Sequence, residues 1–448
     1  MMEQSLQSKI NYAKAFIYMS LILLTTALVF GLIGALQYVY PGFLKEYLSF
    51  ERVRPLHVSS IVFWIIFAAT GSTVYYLQHY LGRLIYSYKL LQYQFYLFII
   101  CIVLVFVAYS RGIFGGREYW EFPPFISLLI IVAWIFFIVN FIVSIFRLNN
   151  KPVFIWMWLT GIVFFLFTFI ESYLWLLPYF NNNIVNDMTV QWKSYGSMVG
   201  SWNMLVYGCS IYLMDKISNN QKNSYYKTSF ALFFVGLFNL MFNWGHHIYT
   251  LPTHNFIKHI SYVVSMTELL LLFRIIYQWK ITLTTAIKFS YFTCYRFLLA
   301  AEVWIFLNLI LAILISIPAL NVFSHGTHIT VAHAMGATIG INTMLLLGFC
   351  FDILMVKTKR SSTVTWGFWI TNISLFIFWV SLIIAGVLKA KWQMSLNQTP
   401  FSNMMLQLKP YFIIFLCSGF LLSLGLCFII FSFFKNLLKI NKQHVIDN

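Results

Sequence analysis

The sequence predicts an all-α protein, a polytopic membrane bundle of twelve transmembrane helices forming one integral domain over 1–448, and three observations predict it. Only 9% of the residues are charged, where soluble domains carry about 25%. Hydrophobic residues make up 60% and aromatic residues 20%, and the mean hydropathy is +0.80. Apolar runs of about 20 residues, the length that spans a bilayer as a helix, recur along the whole chain. Disorder is excluded, because disordered chains are poor in aromatics and this one has 47 Phe, 27 Tyr and 15 Trp. The excess of 29 Lys+Arg over 12 Asp+Glu forms no basic block, so no nucleic-acid partner is expected.

The first helix, over 13–38, is too long for a signal-peptide core and has no small-residue cleavage site, so it is read as part of the mature chain. Runs at 57–80, 90–110, 125–147 and 153–178 give the next four helices. The sixth, 190–214, is the weakest by hydropathy, because Tyr195 to Asn203 is polar. The seventh, 228–249, ends at GHHIYTLP, with Pro252 close behind to stop it. The remaining five lie at 257–279, 293–318, 326–352, 364–388 and 409–434. With the N-terminus inside, 18 Lys and Arg fall on inner segments and 10 on outer ones, so both termini are expected in the cytoplasm and the chain in a bacterial inner membrane. The six cysteines lie within or beside helices without pairing motifs and read as apolar filler. No CxxCH occurs, so no c-type heme is attached to this chain.

Four histidines converge on one depth. His57 opens the second helix, His246 and His247 close the seventh, and His333 lies two turns into the tenth. An intramembrane imidazole is costly without a partner. One alone would read as a hydrogen bond inside the bundle, but four at one level read as a site. In HGTHITVAHAMGATIG, His333 and Met335 point about 200° apart on a helix. One helix can thus offer axial ligands to two hemes, since imidazole and thioether both serve. Met335 alone would be core filler; its spacing from His333 raises it. His246 and His247 would splay about 100° apart in a regular helix, so they reach one ion only at a helix end. Iron or copper is the natural guest of such a pair.

These residues resemble the heme-copper oxidase superfamily, and within it the large subunits of bacterial nitric oxide reductases. The resembling segments are RPLHVSSIVFW, GGREYWEFPP, NWGHHIYTLP, SMTEL and HGTHITVAHAMG, spread from the second helix to the tenth. The resemblance implies a twelve-helix subunit I bundle with two b-type hemes. His57 would be an axial ligand of the low-spin heme, and His333 the proximal ligand of the high-spin heme. His246 and His247 would hold a non-heme metal facing that heme, iron rather than copper. Arg54 would pair with heme propionates, Glu121 would match the carboxylate of a calcium site, and Glu268 would stand beside the binuclear centre.

Two departures bear on the chemistry. The family usually has histidine where this chain has Met335, so the low-spin heme becomes His/Met, and thioether ligation tends to raise the potential. The family's sixth helix also supplies a third histidine to the non-heme metal, with a glutamate one turn later. In QWKSYGSMVGSWN that histidine falls on Tyr195, Gly196 or Ser197 according to the anchor used, and the glutamate falls on Val199. Tyr195 as a phenolate, Asn203 through its amide oxygen, or Glu268 is offered in its place.

The expected activity is reduction of two NO to N2O, with Glu268, Glu121 and Glu118 delivering protons from the outer side and electrons entering by the low-spin heme. A buried carboxylate has a raised pKa and can donate near neutral pH. An ion pair of Glu268 with Arg274 is disfavoured, because six residues put that arginine about 120° round the helix and 9 Å deeper. A membrane-anchored cytochrome c subunit on the outer face is the donor the resemblance implies. The rival activity is an oxygen-reducing terminal oxidase. Its nearest branch places a tyrosine six residues before the histidine pair, where this chain has Leu240, although Tyr195 could be a relocated phenol. A third reading, a heme protein that relays electrons or senses gas, rests on the missing histidine. Glu171 and Glu302 are intramembrane carboxylates that could line a proton path or be bonded within the bundle. His79 is expected at the inner interface, and His254, His259, His325 and His328 at the outer side, the last two as neighbours of propionates or metal.

Overall fold

The computed structural model describes residues 11–264, 267–355, 361–396 and 399–446, with the side chains of 268 and 440–446 outside the description. The long helices are α1 (Tyr12–Val39), α2 (Phe50–Leu81), α3 (Tyr88–Ser110), α4 (Ser127–Ile145), α5 (Val153–Glu171), α6 (Ile184–Ser218) and α7 (Lys227–Phe242). They continue as α8 (Asn255–Val264), α9 (Thr267–Thr282), α10 (Phe292–Ser316), α11 (His328–Met335), α12 (Met344–Leu354), α13 (Ser362–Met394) and α14 (Phe401–Ile446). Eleven segments of the described residues are long and apolar enough to cross a membrane. The sixth expected span is helical throughout, as α6, but its polar stretch keeps it out of those eleven. Its amides are satisfied within the helix, so a polar sequence still makes a bilayer-length rod.

Contacts group the chain into two units. The first comprises the N-terminal part through Ser20, Val62–Leu283 and Leu309–Val322; the second comprises Leu21–Ile61, Thr284–Asn308 and the rest from Phe323.

In the first unit, capping and small residues set the geometry. Ser87 opens α3 by accepting from the Leu90 amide, and the buried Asn140 amide of α4 holds Ser87 through both its backbone groups at 2.9 and 2.8 Å. Asn183 caps α6 by accepting from the amides of Val185 and Asn186. Asn219, at φ 51°, ends it in the left-handed conformation that asparagine tolerates. The α5 and α6 backbones approach closely at Gly161, where a Cβ would lie 2.6 Å from the Ser201 carbonyl oxygen. Small residues at helix crossings do this work in membranes, where no hydrophobic effect drives helices together.

In the second unit, α13 and α14 pack along their length, and a Cβ on Gly367 would lie 2.8 Å from the Gly425 carbonyl oxygen. Helix α11 sits on α13 at Gly386, where a Cβ would approach the Ile329 amide nitrogen to 2.5 Å. Thr327 caps α11 by accepting from the Ile329 amide at 3.2 Å. Between α11 and α12 the chain runs as a π-helix, Gly336–Thr343. Such wide turns are rare and concentrate at functional sites. Nothing in the sequence pattern announced this one.

Candidate heme and metal centre

In the second unit, His57 is held as a ligand would be. Its Nδ1 lies 2.8 Å from the Ala27 carbonyl oxygen of α1. The carbonyl can only accept, so Nδ1 carries the proton and donates. Nε2 then keeps its lone pair for a metal. Gly31, one turn along α1, makes room for the ring: a Cβ there would lie 2.9 Å from both Cε1 and Nδ1 of the imidazole. Arg54 lies half-buried one turn before His57 on the same side of α2.

His333 and Met335 occupy the last turn of α11, both half-buried. The buried Nδ1 of His333 has no partner among the described residues. A buried polar atom without a partner is rare unless it serves a ligand, an ion or water. The donor set on His57 and His333 thus fits the axial ligation of heme. The His328 ring packs between Tyr38 and Phe412, with centroids 6.2 and 5.1 Å away, and feels the positive charge of Lys389. His325, in the loop before α11, has its imidazole pushed below the ordinary range by burial.

In the first unit, His246 and His247 lie in a 3-10 turn, Asn243–Ile248, that follows α7 directly. Their ring centroids are 4.1 Å apart with planes inclined by 40°, as the helix-end argument requires. The turn is gripped from two sides. On one, a Cβ on Gly196 of α6 would lie 2.8 Å from the Trp244 Cβ; on the other, a Cβ on Gly245 would lie 2.8 Å from the Ser261 Cβ of α8. Ser261 Oγ also donates to the Asn243 carbonyl at 2.9 Å, and beyond the turn the Tyr249 hydroxyl donates to the Ser316 carbonyl at 3.1 Å. Trp192 of α6 stacks flat on His247, centroids 4.5 Å apart and planes 9° apart. Trp192 is a residue that sequence reasoning passed over; the small-xxx-small pair Gly196 and Gly200 was the available sign that α6 meets α7 closely.

This packing narrows the position of the missing third histidine. Gly196 has no space for any side chain against Trp244. The Ser197 hydroxyl is buried and donates to the Leu240 carbonyl at 2.6 Å. Tyr195 remains, buried on the adjoining flank with its ring 5.1 Å from that of Tyr119. The register is less kind to Asn203. Trp192 meets His247 and Gly200 meets Leu240, so Asn203, eleven residues after Trp192, lies about 16 Å further along α6. Glu268 belongs to α9, and its side chain lies outside the described residues. No three His, Cys, Asp or Glu side chains gather into a metal site among the described residues. The described part of the non-heme centre is therefore two imidazoles, short of the three or four protein ligands such metals take.

Glu121 ends a tightly knotted loop. Its carbonyl accepts from the Gly115 and Gly116 amides, both at 3.1 Å, and Tyr119 adopts a left-handed φ of 71°. The Tyr109 hydroxyl donates to the Glu121 carboxylate at 3.5 Å. Arg117 fastens the loop to α6 through a 2.7 Å ion pair with Asp187 and lies over the Trp175 ring at 4.8 Å. One carboxylate is far from the six to eight oxygens calcium takes. Glu171, read as either a proton-path group or one bonded within the bundle, forms an ion pair with Lys193. It sits at the last turn of α5, where the lysine of α6 can reach it, so its charge is answered. Glu302 is buried in α10, and His79 is hydrogen-bonded to the Tyr212 hydroxyl at 2.6 Å. His254 and His259 are exposed.

Comparison with known proteins places this architecture. The family model described as cytochrome c and quinol oxidase polypeptide I matches residues 11–421. The chain belongs to that family. It is thus an oxidoreductase of the heme-copper oxidase superfamily and a multi-pass membrane protein, and the fold expected from its motifs is the one observed. A nitric oxide reductase chain of Stutzerimonas stutzeri is 23% identical over 94% of each protein. A cytochrome c oxidase subunit 1 homolog of Agrobacterium tumefaciens (strain T37) is 22% identical over 88% of this chain and 77% of that protein. A heme-copper terminal oxidase dimer solved by cryo-EM superposes with a TM-score of 0.75 at 16% identity, covering 96% of this chain and 84% of that one. Both activities thus occur among relatives at nearly equal identity.

Proposed function

We propose that this family member is the catalytic subunit of a respiratory nitric oxide reductase, converting two NO, two electrons and two protons into N2O and water. The observation that carries the proposal is Leu240. The oxygen-reducing branch it would otherwise join has its tyrosine at that position, and here an apolar side chain sits against Gly200, with 3.0 Å between the Leu240 Cα and a Cβ built on that glycine. The relative named as a nitric oxide reductase, similar over 94% of both chains, adds support.

His57 and Met335 would hold a low-spin b-type heme and His333 a high-spin one, with Arg54 pairing their propionates. Bound heme supplies an iron that accepts electrons and takes the gas. His246 and His247 are the pair offered to non-heme iron, and Glu121 the carboxylate offered to calcium. What the chain itself does is to fix protonation and pose. Ala27 keeps Nε2 of His57 bare, Gly31 keeps its ring in place, and Trp192 keeps the His247 ring from turning. Glu268 is the proton donor of this scheme, supplied from Glu118 and Glu121, and electrons arrive from a cytochrome c partner on the outer face.

Oxygen reduction is the second reading, and Tyr195 favours it. It is a buried phenol one turn from Trp192, able in principle to give an electron and a proton. The test is anaerobic turnover of the heme-loaded protein with ascorbate and a mediator, using labelled NO. One N2O for every two NO is expected. Oxygen uptake without N2O formation would assign the oxidase, and hemes that cycle without consuming either gas would assign the relay or sensor.

A further inference from the structure

Polar groups meet at three levels between α10 and α13, inside the second unit. At the first, Arg296 Nη1 donates to Thr365 Oγ1 at 3.1 Å. At the second, Trp304 Nε1 donates to Asn372 Oδ1 at 3.0 Å, and the Asn372 amide nitrogen donates on to the Phe368 carbonyl at 2.9 Å. At both levels a side-chain hydrogen bond joins the two helices directly. The third differs. Asn308 is 1% exposed and Trp379 8%, yet neither amide atom of Asn308 nor the indole Nε1 of Trp379 has a partner among the described residues.

The two side chains converge on one spot. A Cβ on Gly336 would lie 2.4 Å from Asn308 Oδ1 and 3.2 Å from Trp379 Nε1. Gly336 opens the π-helix and follows Met335 directly. An amide offers two donors and two acceptor lone pairs, and an indole one donor. At membrane depth, groups of this kind left unmade are costly and mark function by default. Buried water typically makes two to four hydrogen bonds to just such groups.

We propose that Asn308, Trp379 and Gly336 form an internal water-binding site about one turn below His333, and that its water holds the start of the π-helical segment. Glycine at 336 suits this role, because a Cβ there would come to 2.4 Å from Asn308 Oδ1 and push the amide off the spot it shares with the indole. The water bridges α10 and α13 at the level where their direct pairing stops. It is a positioning element for Met335, and this last consequence rests on the reading of Met335 as a heme ligand.

The sign of a stability change tests the water itself. In a dry site, Asn308→Leu removes two unpaired polar atoms and raises the Tm of the heme-loaded protein. In a wet site the same change strands the water and the Trp379 N–H, and Tm falls. Trp379→Phe alone should lower Tm for the same reason, and the double variant Asn308→Leu with Trp379→Phe should recover part of the sum, because no polar atom then remains. A rise in the first variant, or a loss in the double that equals the two single losses, would overturn the water site. A cryo-EM map showing density within hydrogen-bonding distance of Asn308 and Trp379 is expected, and direct apolar contact there would overturn it too. The Asn308→Leu protein should also show a shifted low-spin heme spectrum. An unchanged spectrum beside the expected Tm pattern would keep the water and reject its hold on Met335.

Discussion

Gly31→Ala separates heme ligation from folding. A methyl group at position 31 would sit 2.9 Å from Cε1 and Nδ1 of His57. Carbon atoms settle at about 3.5–4.0 Å, so the imidazole must retreat by roughly 0.6–1 Å. Its hydrogen bond to the Ala27 carbonyl is 2.8 Å long and is lost or bent by such a move. Removing an orienting partner of a ligating histidine weakens metal binding by about 10–100-fold, or roughly 1.4–2.7 kcal/mol. Helix α1 itself gains, since alanine is favoured over glycine by about 0.8–1 kcal/mol. The matched control is Gly34→Ala on the same helix, where the nearest atom, Val53 Cγ1, is 3.5 Å from the new methyl, an ordinary contact. The assay is heme content per chain with the reduced-minus-oxidised spectrum of the low-spin heme. Gly31→Ala should lose low-spin signal while Gly34→Ala keeps it. Equal spectra from the two variants would refute the role of His57.

Other expectations follow from the packing. Gly196→His, which would place a histidine at one of the family's aligned positions, should lower the yield of folded protein and restore no metal, because its Cβ meets Trp244 at 2.8 Å; metal analysis and Tm check this. His246→Ala and His247→Ala should each abolish non-heme metal and cut NO turnover by 100-fold or more, on the order of 2.7 kcal/mol, while leaving both hemes in place. Glu171→Gln should leave turnover within about twofold and Tm nearly unchanged, since a partly exposed ion pair such as that with Lys193 is worth about 0–1 kcal/mol. Arg117→Ala releases the loop that carries Glu121 from Asp187 and Trp175, and should cost about 1–3 kcal/mol of stability, read as a lower Tm.

Much of the fold was legible because a membrane helix writes its length and polarity into the chain. The runs around His57, His247 and His333 announced their helices, and the helix end at His246 and His247 followed from two adjacent histidines before Pro252. α6 was harder. Ser194, Ser197 and Ser201 on one face and Asn203 on the opposite one lower the hydropathy of a helix that is nonetheless continuous. What could not be read was register. Whether residue 195, 196 or 197 answers the missing histidine depends on which face of α6 meets the turn, and the contacts that bear on it, Gly196 against Trp244 and Ser197 on the Leu240 carbonyl, are tertiary. The partner of Glu171 was hidden for the same reason: Lys193 lies 22 residues away in sequence and its pairing is a tertiary fact. The π-helix after Met335 and the amide of Asn308 beside Gly336 left no periodic trace at all.

The most direct test of the account is the heme complement of the purified chain, measured by pyridine hemochrome and by the low-temperature spectrum before and after Met335→His. Two b-type hemes per chain are predicted, with one spectrum changing from His/Met to bis-His character in the variant and the other unaltered. Fewer than two hemes, or a spectrum indifferent to Met335, would contradict it.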